Sequence, residues 1–251
     1  RVCPIFAQTW ISGPPNRDRI SQTLGGPLDG TLQPELVVDQ QGLVAVPAHL
    51  DWEEAATLPC AAVTAWNAIH DLPAGSRVVV QGTGGVSLFA LQLAKAAGME
   101  VLATSSSPEK LKKAKQLGAD ALVNYQENPE WSRPVRAWAR EGVDCVVEVG
   151  GAGTLDQSLR CLKPGGKVAM IGILAGNSAP INVLPILMQQ LRVQGVLVGN
   201  RDDFEAMNRL VSGAGIRPVL DRCLPYEQAP QAWERLASGR HLGKVVISGC
   251  P

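Results

Sequence analysis

The sequence has 251 residues, 45% of them hydrophobic and 18% charged, which is enough apolar content to bury a large core and too much for a disordered chain. Lys plus Arg and Asp plus Glu each number 23, so the net charge is zero and no basic excess is available to neutralise a nucleic-acid backbone or to dock on an anionic membrane. A small molecule is the expected partner. Six cysteines (Cys3, Cys60, Cys145, Cys161, Cys223 and Cys250) are scattered with no C-x-x-C pair, which argues against a zinc ribbon or a disulfide framework and makes a reducing cytoplasm the expected compartment. The most apolar stretch, 78–94, is broken by glycines and falls short of the roughly 20 residues of a membrane helix, so no membrane span is expected. The sequence opens on Arg1 with no leader pattern ahead of it, and the reading is that it begins inside a longer gene product.

Residues 1–50 are rich in Gly and Pro, with short extended candidates at 31–38 and 43–46, and read as the end of a β domain. At Asp51 the pattern changes: D-W-E-E is a capping box that starts a helix, and a second helix is expected over 61–69. From Arg77 onward, Val-rich runs alternate with helical segments. The expected strands are 77–81, 100–104, 121–125, 143–149, 166–172 and 192–198, and the expected helices 86–97, 108–117, 155–162 and 184–190. Continuous apolar strands separated by helices predict an α/β, doubly wound parallel sheet covered on both faces. A helix over 228–238 and a strand over 243–248 close the chain. The organisation expected is 1–50 as the remnant of a β domain, 51–223 as linking helices plus a dinucleotide-binding domain, and 224–251 as a returning helix and strand.

The strongest chemical signal is Q-G-T-G-G-V-S at 81–87, because it follows an expected strand and opens an expected helix. There Gly82 permits a tight turn, Gly84 and Gly85 let a pyrophosphate approach the backbone, and the helix start at Thr83 to Val86 offers free N–H groups and a positive dipole end. Ser87 replaces the third glycine and is small enough for close helix–sheet packing. An acidic residue at the end of the second strand would hold the adenosine ribose hydroxyls; Ser105, Ser106 and Ser107 stand there instead, followed by Pro108 and Lys110. Hydroxyls, a helix N-terminus and an ammonium suit a 2′-phosphate, so NADP(H) is expected over NAD(H). The same residues also read as an ordinary N-cap with Pro at the first helical position and a solvated lysine.

With EEAATLPCAAVTAW at 53–66, VVVQGTGGVSLFALQLAKAAG at 78–98, TSSSPEKLKKAKQLGAD at 104–120, VVEVGG at 146–151, LKPGGKVAMIG at 162–172 and GRHLGKVVIS at 239–248, the sequence resembles the medium-chain dehydrogenase/reductase superfamily. Within it, the quinone oxidoreductase-like and zinc-independent alcohol dehydrogenase-like branches are the nearest match. The resemblance implies a Rossmann domain with the remnant of a GroES-like β catalytic domain, most of which would precede R-V-C-P-I-F. It also implies that Lys110 and Tyr125 contact the 2′-phosphate, that Thr64 lies near the nicotinamide, and that the segments around Gly150, Ile173 and Gly199-Asn200 line the nicotinamide half of the cleft. Tyr125 can equally pack at a strand end, and Thr64 can equally back-bond its own helix.

Cys60 falls where zinc-dependent relatives place one catalytic ligand, yet a catalytic zinc needs two further protein ligands. A cysteine on an apolar helix is otherwise a small buried hydrophobe, and zinc is not expected. The four-cysteine structural zinc lobe is not found between Phe6 and Leu36, and His49, His70 and His241 show no shared spacing. Catalysis is then expected to rest on positioning a nicotinamide against an electron-poor carbon, with Thr64 as the one candidate donor to the substrate oxygen. The leading expectation is an NADPH-dependent reductase of quinones or α,β-unsaturated carbonyls. The alternatives are an alcohol dehydrogenase acting on alcohols and aldehydes, with or without zinc, and a dinucleotide-binding module without catalysis. The resemblance further implies a homodimer joined through the strand edge at 192–199.

Overall fold

The computed structural model describes residues 1–249; Cys250 lies outside the described residues. The chain divides into two compact units, one formed by 65–197 and the other by 1–64 with 198–251, whereas the sequence reading places its divisions at 50 and 223.

In the first unit, β1 (Arg77–Gln81), β2 (Glu100–Ser105), β3 (Ala121–Asn124), β4 (Val143–Glu148), β5 (Leu162–Met170) and β6 (Arg192–Gly195) form a six-stranded sheet. The spatial order is β3-β2-β1-β4-β5-β6 and every pairing is parallel. The intervening helices are α1 (Gly85–Ala96), α2 (Pro108–Gln116), α3 (Ser132–Trp138), α4 (Leu155–Cys161) and α5 (Leu184–Met188). This is the expected doubly wound α/β fold. Parallel strands buried on both faces must be apolar throughout, and Val78, Val79, Val80, Val146 and Val147 have no exposed surface. Alternate strand residues point to opposite faces: Val79, Leu102, Val123, Val146 and Val168 share one core with Val135 of α3 and with Leu155 and Leu159 of α4. The chain runs outward from β1 to β3 and then returns to β4, so the strand order reverses between β1 and β4. In doubly wound sheets, the carboxyl ends of two strands related in this way are where ligands bind.

α3 escapes the sequence reading, because Pro134 and two arginines in seven residues interrupt the apolar pattern; Trp131 and Val135 nevertheless bury into the core. The last strand expected in this sheet, 192–198, ends at Gly195, and Val198 turns to φ +47°.

In the second unit, Val2–Pro4 pairs antiparallel with Leu43–Ala45, and Leu220–Pro225 pairs parallel with Lys244–Ser248. The segment 31–38, expected as a strand, forms none: Pro34 offers no N–H for a ladder and Val37 is almost wholly exposed. Asp51 and Glu54 form the expected reciprocal box at the start of Trp52–Ala55, with Asp51 Oδ1 accepting from Glu54 N at 2.8 Å. The second helix begins earlier than expected, as a π-helical turn over Leu58–Ala62 that runs into Val63–Ile69. A long helix, Arg201–Gly213, also escapes the sequence reading.

Candidate active site

The turn after β1 combines a left-handed backbone with open space. Gly82 sits at φ +72°, where an L side chain is disfavoured, and its N–H is donated to Thr104 O at 2.8 Å, so the turn is stitched to the end of β2. Gly84 is the N-cap of α1 with φ −74° and ψ 178°, and no side chain caps the helix. The first N–H groups of any α-helix lack an intrahelical acceptor, which leaves those of Gly85, Val86 and Ser87 directed out of the helix start. A Cβ built on Gly82 or on Gly84 would meet no atom within 4 Å. The glycines therefore leave empty a volume beside unpaired donors and a positive helix end, a cradle that fits a pyrophosphate. Behind it, the buried Ser87 hydroxyl donates to Gln81 O at 2.6 Å and fixes α1 to β1, while Thr83 is buried under the turn.

At the carboxyl ends of β2 and β3, Tyr125 N donates to Ser105 O at 3.1 Å, which brings Ser105 and the half-exposed Tyr125 together. Ser107 is the N-cap of α2: its Oγ accepts from Lys110 N, and Pro108 holds the first helical position. Ser105, Ser106, Lys110 and Tyr125 thus share one strand-end region. One group there escapes the sequence reading. The Glu109 carboxylate accepts from Ser107 Oγ at 2.6 Å, and this hydrogen bond holds its pKa below the ordinary carboxylate range. A negative charge does stand at this end of the sheet, one helix turn later than a strand-end acid would.

At the end of β4, Glu148 is fully buried. Its Oε1 accepts from Gly150 N at 2.7 Å, Gly151 N at 3.0 Å and Thr154 Oγ1 at 2.6 Å, and its Oε2 accepts from Gln81 Nε2 at 2.8 Å and from Ser158 Oγ. Gln81 Oε1 in turn accepts from Val149 N at 3.1 Å. The loop after β4 lies directly on the loop after β5: Leu174 N donates to Val149 O at 3.0 Å and Ala175 N to Gly150 O at 2.7 Å. Gly150 is buried inside this arrangement and Ile173 is exposed on its surface. The signal for Glu148 was present in the sequence, since an acid inside the apolar run VDCVVEV has to be satisfied by donors if the strand is buried.

Thr64, Gly199 and Asn200 belong to the other unit. Asn200 caps Arg201–Gly213 through a reciprocal box with Asp203, and its Nδ2 donates to Gly13 O at 3.2 Å. Thr64 is buried and its hydroxyl donates to Cys60 O at 2.7 Å, so its proton is engaged within its own helix. Cys60 is exposed, not buried as an apolar helix would suggest. Among the described residues no three His, Cys, Asp or Glu side chains come together to hold a metal ion, so the donors present do not fit a complete zinc site. Burial pushes the Cys3 thiol up to about 11 and the Cys145 thiol up to about 12, so neither offers a thiolate near neutral pH.

The family model of the zinc-binding dehydrogenases matches residues 85–213. A zinc-type alcohol dehydrogenase-like protein of Schizosaccharomyces pombe is 41% identical, over 98% of this chain and 74% of its own length. Among solved structures, a Sinorhizobium meliloti protein assigned to the alcohol dehydrogenases superposes with a TM-score of 0.89 at 41% identity, covering 99% of this chain and 74% of that one. An NAD-dependent alcohol dehydrogenase superposes with a TM-score of 0.87 at 31% identity, covering 97% and 75%. With the glycine cradle at the switch point of a six-stranded parallel sheet, these relationships show that the chain belongs to the medium-chain dehydrogenase/reductase superfamily and is an NAD(P)-dependent oxidoreductase.

Proposed function

We propose that the chain binds NADPH along the carboxyl ends of β1 to β5 and uses it to reduce a small quinone or α,β-unsaturated carbonyl. The observation that carries this reading is the cradle at 82–86, where open space, unpaired N–H groups and a helix N-terminus converge. In it, Gly82, Thr83, Gly84, Gly85 and Val86 hold the pyrophosphate, Ser105, Ser106, Lys110 and Tyr125 receive the 2′-phosphate, and Gly150 and Ile173 border the nicotinamide. When bound, the cofactor supplies the hydride. The protein supplies orientation: the two loops stitched together at 149–150 and 174–175 offer a fixed backbone against which a flat ring is held. Thr64 carries no proton transfer in this proposal, because its proton is committed to Cys60 O. No step is routed through zinc, although Cys60 is exposed and available as a ligand.

A second reading, an NAD-linked alcohol dehydrogenase, is favoured by the Glu109 carboxylate, which would repel a 2′-phosphate, and by the names of the relatives. Fluorescence titration with NADPH and with NADH separates the two. NADPH binding at least tenfold tighter supports the first reading, the reverse preference supports the second, and binding of neither would withdraw the cradle itself.

We further propose a homodimer formed through β6, whose four residues are all exposed at the sheet edge beside exposed Val183, Leu184, Leu187 and Met188. A monomeric sedimentation coefficient at micromolar concentration would refute it. Among the described residues no helix is long and apolar enough to cross a membrane. A reducing, cytoplasmic setting is part of the proposal and rests on the scattered cysteines of the sequence.

A further inference from the structure

Glu148 is a carboxylate with no exposed surface, and among the described residues none of the groups that hydrogen-bond to it is a cation. A carboxyl group buried this deeply is costly to desolvate even when its oxygens are hydrogen-bonded, which makes it a poor device for stability. Its geometry suggests a different use. One carboxylate oxygen faces the amide of Gln81, the residue directly before the Gly82 turn; the other gathers two successive backbone N–H groups, of Gly150 and Gly151, and the Thr154 hydroxyl. From there the contact continues outward, with Ala175 N donating to Gly150 O at 2.7 Å and Ala152 N to Gly176 O at 2.9 Å. The approach is close: Gly151 is at φ +78°, and a Cβ there would lie 2.7 Å from Gly176 O.

We propose that Glu148 is a positioning residue that holds the loops at 150–152 and 173–176 in register with the pyrophosphate turn at Gly82. The proposal rests on the reading that these loops border the nicotinamide. Glu148 touches neither cofactor nor substrate; it acts through Gln81 on one side and through Gly150 and Gly151 on the other. The phosphate turn has its own support, since Ser87 holds Gln81 O and Thr104 holds Gly82 N, but among the described bonds the Gly150 and Gly151 N–H groups are fixed by Glu148. Loss of the carboxylate therefore frees the nicotinamide side and leaves the adenosine side in place.

The test compares the whole dinucleotide with ADP-ribose, or its 2′-phosphorylated form if NADP is preferred, which reaches the pyrophosphate turn but has no nicotinamide. Glu148→Gln keeps the shape but turns an NH2 donor toward either the Gln81 donor or the Gly150 and Gly151 donors. Thr154→Val removes a single donor and serves if the first variant does not fold. Isothermal titration of each is expected to show dinucleotide affinity about tenfold lower for Glu148→Gln, a smaller drop for Thr154→Val, and unchanged affinity for the ADP-ribose fragment. Equal losses for both ligands would mean that Glu148 only supports the fold, and no loss for either would mean that the loops hold themselves; each overturns the proposal. Wild-type protein that binds ADP-ribose but gains nothing from the nicotinamide would instead overturn the assignment of the loops, and binding of neither ligand would overturn the dinucleotide reading.

Discussion

Two glycine loops leave the sheet at neighbouring strand ends, and they use glycine for opposite purposes. After β1, a Cβ on Gly82 or Gly84 would meet nothing within 4 Å, so these glycines keep room for something that is not protein. After β4, a Cβ on Gly150 would overlap the Thr154 side chain and one on Gly151 would lie 2.7 Å from Gly176 O, so these glycines keep room for the protein's own backbone. The motif letters look alike, G-T-G-G at 82–85 and G-G-A-G at 150–153, and glycine content alone does not tell a ligand cradle from a packing joint. The surroundings of each glycine decide it. A vacancy beside unpaired donors marks a site, and a collision marks a joint.

Substitution by alanine breaks or sharpens this contrast. The largest effect on folding is expected for Gly151→Ala, which combines a left-handed backbone with overlap of Gly176 O and Ile173 Cα; a loss of about 3 kcal/mol in urea unfolding is expected. Unchanged stability would show that the two loops part easily and would weaken the case for a rigid nicotinamide border. Gly84→Ala should behave in the opposite way. Its φ of −74° suits any residue and its Cβ meets open space, so unfolding should shift by less than about 0.5 kcal/mol. Dinucleotide affinity should nevertheless fall about tenfold or more, because the methyl group displaces a phosphate from charge-assisted N–H bonds. Retention of full affinity would move the phosphates elsewhere. The smallest effect is expected for Ser87→Ala, which deletes the bond to Gln81 O and should cost about 1 kcal/mol in stability. Its drop in affinity should be smaller than that of Gly84→Ala; a larger one would make Ser87 part of the ligand site and not its scaffold.

Much of the architecture was legible, because parallel strands must be apolar on both faces and their helices amphipathic, so Arg77–Gln81 could be read without error and five further strands to within a few residues. The turn at 82–85 was legible for a related reason: a strand, a glycine cluster and a helix in immediate succession have few other uses. Less legible were α3, with Pro134 inside seven residues, and the segment 31–38, whose strand-like residues find no partner. A strand exists by pairing, and the pairing partner is not in the local sequence.

What the sequence by itself determined is the fold class, the order along the chain of the six strands of the parallel sheet, the position of the glycine turn after β1, and the superfamily. These depend on periodicity and on short contiguous motifs. Only the tertiary structure decided what individual polar groups are occupied with: that Thr64 spends its proton on Cys60 O, that Asn200 caps a helix, that Glu109 reaches Ser107, and that Glu148 gathers donors from four segments between Gln81 and Ser158. A hydrogen bond depends on distances of a few tenths of an ångström between residues far apart in the chain, and these distances are fixed only when the strands that carry them have packed.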